Sequence, residues 1–201
     1  MQSNHKYHMS ALQAIILGVV LSLLPISLSA QNYHLKNGEG ELTVTGTSTL
    51  HDWEVVAEQK SGSIEIENNG ETPTLKSLEV SVEAESLKSG KDGMDKNTYK
   101  ALNTDKYKKI VFKMLEVKEI SPVISTSNRF KVMTYGELTI AGTTQRIYVP
   151  ITLTITENKV TIAGKKPLKM TDYGIDPPKA LLGTIKTGDQ IEIHFDTVWT
   201  R

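Results

Sequence analysis

The chain contains no cysteine. That excludes disulfides, a zinc–thiolate centre and a thiol nucleophile. It carries no net charge, since 23 Lys and Arg stand against 23 Asp and Glu. A nucleic-acid binder usually shows a basic surplus or a basic stripe, so nucleic acid is not an expected partner. Large rings are scarce, with two Trp, seven Tyr and three Phe in 201 residues. No Gly-x-Ser-x-Gly elbow is present, and no Gly-rich loop followed by Lys-Ser/Thr that would cradle a phosphate. Beyond residue 30 the histidines are His34, His51 and His194, and no two stand at helical i, i+4 or short loop spacing. Neither a catalytic set nor a metal site is therefore expected, and the chain does not read as an enzyme.

The first thirty residues differ from the rest. A short polar start with His5, Lys6 and His8 leads into an apolar run from Ala11 to Leu24, and Ser27-Leu28-Ser29-Ala30 follows. This is the three-part layout of a secretory signal peptide. The run is short for a membrane span, which needs about 20 residues, and no basic stop-transfer cluster follows it. Residues 1–30 are expected to be removed, which leaves one domain over 31–201, periplasmic or secreted and without a transmembrane anchor. With no cysteine there is no site for a lipid anchor.

What is abundant after residue 30 is alternation. Ile147, Val149, Ile151, Leu153 and Ile155 alternate with Tyr148, Pro150, Thr152 and Thr154. Leu78, Val80, Val82 and Ala84 do the same against Ser and Glu, and so do Ile191, Ile193 and Phe195 against Glu192, His194 and Asp196. One apolar and one polar face per strand is the mark of antiparallel sheet with a wet side. Asn68-Asn69-Gly70, Ala141-Gly142-Thr143, Glu157-Asn158-Lys159 and Thr187-Gly188-Asp189 read as turns. Pro150 removes a ladder donor, which places it at an edge or a bulge. The stretch Asp92 to Lys106 lacks alternation; Met94, Thr98, Ala101 and Leu102 share a helix face, so one short helix is expected near residues 94–104. Lys165 to Lys186, with Pro167, Pro177, Pro178 and Gly183, reads as a long irregular capping loop. Many even strands and one helix give an all-β antiparallel barrel or sandwich. An eight-stranded barrel is just wide enough for packed side chains or for one elongated ligand, and medium-sized inward residues with few rings suit either.

Several residues then become familiar. Ser48-Thr49-Leu50-His51-Asp52-Trp53, Leu87-Lys88-Ser89-Gly90 with Met94-Asp95, Tyr107-Lys108-Lys109-Ile110-Val111-Phe112, Gly136 to Thr144, and Asp172-Tyr173-Gly174-Ile175 resemble, in that order, blocks of the YceI-like family. The resemblance runs from about residue 40 to 198. It implies a lipocalin-like antiparallel barrel of eight strands, a lipid or polyisoprenoid ligand held inside it, no cofactor other than that ligand, and frequently a homodimer. Where many members carry a basic-acidic-x-His block, this chain has Met94-Asp95-Lys96-Asn97, so a head-group contact there is not carried over.

The candidate ligand-binding residues are Trp53, Val80, Val82, Tyr99, Leu102, Tyr107, Phe112, Leu138, Ile151 and Tyr173. Val80, Val82, Phe112, Leu138 and Ile151 hold the apolar parity of their strands. Trp53 either lines a cavity or belongs to a core, with His51 and Asp52 beside it to meet a head group or shape a turn. Tyr99, Leu102 and Tyr107 either close a barrel mouth or pin the helix. Tyr173 is either a pocket-mouth ring with a hydroxyl or a corner residue. Lys96, Lys100, Lys106, Lys108 and Lys109 form either a positive rim or a solvated face in which Asp92, Asp95 and Asp105 cancel the field.

Overall fold

The computed structural model describes residues 30–68, 70, 72–124, 126, 128–180 and 183–201. Residues 1–29 of the expected signal segment and Asn69 of one expected turn lie outside the described residues.

The alternating segments form antiparallel strands throughout. In chain order they are β1 (Gln31–Ser48), β2 (Trp53–Ala57), β3 (Lys60–Glu67), β4 (Thr74–Glu83), β5 (Leu87–Lys88), β6 (Lys109–Pro122), β7 (Arg129–Ile140), β8 (Thr143–Ile155), β9 (Lys159–Lys169), β10 (Lys179–Ala180) and β11 (Ile185–Thr200). The single α-helix among the described residues, α1 (Asp92–Leu102), falls where alternation stops. It ends at Asn103, which takes a left-handed φ of 51°, a conformation Asn tolerates better than most residues.

Pairing runs β1–β3–β4–β6–β7–β8–β9–β11, and β11 returns to β1. The sheet is thus a closed barrel of eight strands, and closure removes the exposed edges an open sheet would carry. β2 and β5 extend two of these staves. β1 pairs with β3 through residues 31–35 and with β2 through residues 43–46. The handover occurs at a register shift between Leu35 and Gly40. Gly38 and Gly40 have φ of 81° and 76° there, a region closed to most side chains. A Cβ on Gly40 would also run into the carbonyl of Asp196.

Two sequence expectations meet the structure differently. Pro150 faces outward in β8, and the β8–β9 ladder begins only at the next residue, Ile151 opposite Gly164. Pro150 therefore stands where the ladder stops, as a missing donor requires. The irregular region is shorter than expected. Lys165 to Lys169 continue β9 and pair with residues 190–194 of β11, carrying Pro167 in the strand. Pro167 is tolerated because β9 has no ladder partner in β8 beyond Gly164, so that side of the strand behaves as an edge. Irregular structure starts at the 3-10 turn Met170–Tyr173.

The barrel is packed at one end. Tyr33, Ile64, Ile66, Leu75, Phe130, Leu153, Val160 and Trp199 form one buried cluster. Tyr33, Ile64, Leu153 and Val160 have no exposed surface at all. Trp199 is the floor of the other half. Its indole N–H donates to Thr197 Oγ1 at 3.0 Å, and that hydroxyl donates to the Ile162 carbonyl at 3.1 Å.

Candidate functional site

Above Trp199 the barrel is hollow. A cavity of about 550 Å³ runs from this floor to α1 and the segments around residues 48–53, 175–179 and 185–187, a size common for ligand sites. Its wall is built by the inward parity of the strands: Leu42 and Val44, Leu78 to Val82, Ile110 and Phe112, Leu138 and Ile140, Ile147 to Ile151, Ile191 to Phe195. α1 forms the lid, presenting Met94, Asn97, Thr98, Ala101 and Leu102 to the cavity. The shared helix face read from the sequence is this lid face.

Four rings that enter this half, Phe112, Phe195, Trp199 and Trp53, do not plug it, because each lies over a glycine. A Cβ on Gly136 would meet Phe112 Cζ at 2.7 Å, one on Gly164 would meet Phe195 Cζ at 2.6 Å, and one on Gly62 would meet Trp199 Cη2 at 2.6 Å. At the mouth the Trp53 indole covers Gly46, its cross-strand partner, and donates from Nε1 to the Thr47 carbonyl at 3.0 Å. The rings are laid against the wall and the centre stays open.

Of the candidate residues, Trp53, Val80, Val82 and Leu102 line the cavity, as do Phe112, Leu138, Ile151 and Tyr173. Tyr99 and Tyr107 do not. The Tyr99 hydroxyl donates to the Leu87 carbonyl at 3.1 Å and accepts from Lys88, so this ring ties α1 to β5. Tyr107 lies over Gly142 of the β7–β8 turn. Both rings pin the helical segment from outside. The lysines near α1 stay at the surface: Lys108 meets Glu85 at 3.8 Å and Lys109 meets Glu83 at 3.2 Å, with every partner well exposed. The exposure matches a solvated face, but the acids that meet these lysines are Glu83 and Glu85 and not Asp92, Asp95 or Asp105.

Asp95 is the buried charge of α1. It accepts from Ser89 N at 2.8 Å and Ser89 Oγ at 2.6 Å, with the Lys88 ammonium at 3.8 Å. The Ser89 hydroxyl bond, above all, holds its carboxyl below the usual range against the opposing effect of burial. Outside the cavity, His194 sits 2.8 Å from Glu192 and 3.3 Å from Thr45 Oγ1.

Tyr173 is placed by its turn. Asp189 accepts from the Thr171 amide at 2.9 Å and from its hydroxyl at 2.8 Å, and Gln145 donates to the Asp172 carbonyl at 2.8 Å. Gly174 reverses the chain with φ of 70°, and Ile175 N returns to the Met170 carbonyl at 3.1 Å. The Tyr173 ring is 2% exposed, and its hydroxyl has no hydrogen-bond partner. Burial, then the nearby Asp172, pushes its pKa up to about 12. The phenol stays protonated, and its oxygen is sealed from solvent.

Lys166 is not among the candidate residues. It stands at an inward position of β9, between Gly164 and Leu168, half-buried and lining the cavity. It falls in the stretch Lys165 to Lys186 that reads as irregular from the sequence, so its strand parity is not legible there.

The sequence model of the YceI-like domain matches residues 33–199. No curated protein matches the chain. Solved structures share the fold. The polyisoprenoid binding domain from Saccharophagus degradans, implicated in plant cell wall breakdown, is 12% identical with a TM-score of 0.64, covering 84% of this chain and 97% of that one. Burkholderia cenocepacia BcnA is 16% identical with a TM-score of 0.61, covering 79% and 95%. A Campylobacter jejuni YCEI protein is 13% identical with a TM-score of 0.56, covering 98% and 99%.

Proposed function

The chain belongs to the YceI-like domain family, and from that premise we propose that it is a binding protein, not an enzyme, whose barrel holds a long apolar lipid. A polyisoprenoid chain is the leading candidate, because the Saccharophagus degradans domain of the same fold is described as binding one. The observation that carries the proposal is the cavity of about 550 Å³ walled by aliphatic side chains above the Trp199 floor. A tail laid there leaves water, which is worth about 25 cal/mol per Å² of apolar surface before association costs. The signal-like segment at residues 1–30 supports an extracytoplasmic site of action, where a lipid in transit needs a shield from water.

Extraction of the protein purified from its native envelope, followed by mass spectrometry, tests this. One lipid per chain with a long apolar tail is the expected result, and an intact mass beginning near Gln31 is expected for the protein. A chain with no co-purifying lipid and no uptake of added isoprenoid would refute the carrier, and turnover of the lipid would replace it with an enzyme.

A further inference from the structure

Building on the carrier reading above, we propose that the tail taken by this barrel ends in an oxyanion, a carboxylate or a phosphate, held by the Lys166 ammonium. Lys166 faces inward from β9, whereas its neighbours Lys165, Pro167 and Lys169 are exposed. Lys165 pairs outward with Glu192 at 3.7 Å. The Lys166 ammonium has no hydrogen bond or ion pair among the described residues, and no Asp or Glu lines the cavity. Besides Tyr173, the ionisable lining groups are His51, Lys91, Lys166 and Lys179. Lys91, Lys179 and His51 are exposed at the rim, which leaves Lys166 as the cation set into the wall.

Lys166 borders an apolar patch of wall. Ile193 pairs with it across β9 and β11 and packs in the same apolar cluster as Tyr173 and Leu168. The Tyr173 hydroxyl also has no acceptor, but its oxygen is sealed from the cavity. The hydroxyls of Thr98 and Thr197, by contrast, are spent on the carbonyls of Met94 and Ile162. The lid face of α1 carries no charge, so recognition of a charged head falls to β9. A neutral head leaves the ammonium's charge unmatched. An oxyanion accepts from it in a charge-assisted bond.

The test titrates delipidated protein with matched pairs, oleic acid against oleyl alcohol and geranylgeranyl phosphate against geranylgeraniol, at neutral pH. We expect at least one acid to bind about tenfold tighter than its alcohol, the scale of one charge-assisted hydrogen bond. The pair that shows the preference tells carboxylate from phosphate. Lys166→Gln should erase the preference by weakening the acid, and Lys166→Arg should keep it. Equal binding of acids and alcohols by the unaltered protein, or a preference that survives Lys166→Gln, overturns the inference and leaves the carrier standing. If no tail binds, the carrier reading fails as well.

Discussion

Asp95 sets the position of the cavity lid from a single carboxylate. It holds the amide and hydroxyl of Ser89, just ahead of α1. Asp95→Ala leaves those donors unpaired and is expected to cost about 1–3 kcal/mol, read by denaturant unfolding. The sign of the pH effect follows from the depressed pKa. The stabilisation is complete above the unfolded carboxyl pKa of about 3.9 and is lost as pH falls through the lower folded value. Unfolding free energy should drop in that acid window for the unaltered chain and drop less for Asp95→Asn. A pH profile that is the same in both would show that the carboxylate carries none of it. In the sequence Asp95 was one acid among several near α1. Its burial depends on Ser89 folding back onto the helix, which composition and spacing do not reveal.

At the scale of elements, the aromatic–glycine pairs decide whether a strand's inward ring fills or lines the barrel. Gly46 is the clearest case, because the three atoms nearest to a Cβ there all belong to the Trp53 indole. Gly46→Ala should swing that ring away from the Thr47 carbonyl and into the mouth. We expect altered Trp53 emission and at least a several-fold loss of tail binding, with the barrel's circular dichroism kept. Unchanged emission and binding would show that the mouth tolerates the methyl. The 3-10 turn at Met170–Tyr173 was legible only as irregular chain. Its shape comes from Asp189 and Gln145, which are distant in sequence. Tyr99 and Tyr107 illustrate the same limit. Their spacing on a helical stretch does not say which side of the helix the barrel mouth lies on.

The whole molecule is a barrel with one packed half and one hollow half, and the same substitution should have opposite effects in the two. Val80 lines the cavity, whereas Ile64 has no exposed surface in the packed end. Val80→Trp should expel the tail and leave the melting temperature of lipid-free protein within a few degrees. Ile64→Trp should overpack the core and cost about 1–3 kcal/mol. Bound lipid and melting temperature measured together on both variants check the division. Equal destabilisation by the two would mean that the upper half is packed as well.

Strand parity, the helix at α1 and the turn at Ala141-Gly142 were determined by the sequence alone. Each is a local matter: an alternating residue must send every second side chain to one face, and a two-residue turn needs positive φ at both positions, found here at 49° and 79°. The family blocks carried the closed eight-stranded barrel with them. Only the tertiary structure decided that the apolar parity is core in one half and cavity wall in the other, since Leu153 and Ile151 are indistinguishable two residues apart on one strand. That difference arises because Trp199, locked through Thr197, closes the floor between them. It likewise took the closed barrel to turn Lys166 inward without a partner, because an ammonium's pairing depends on which strands curve round to face it.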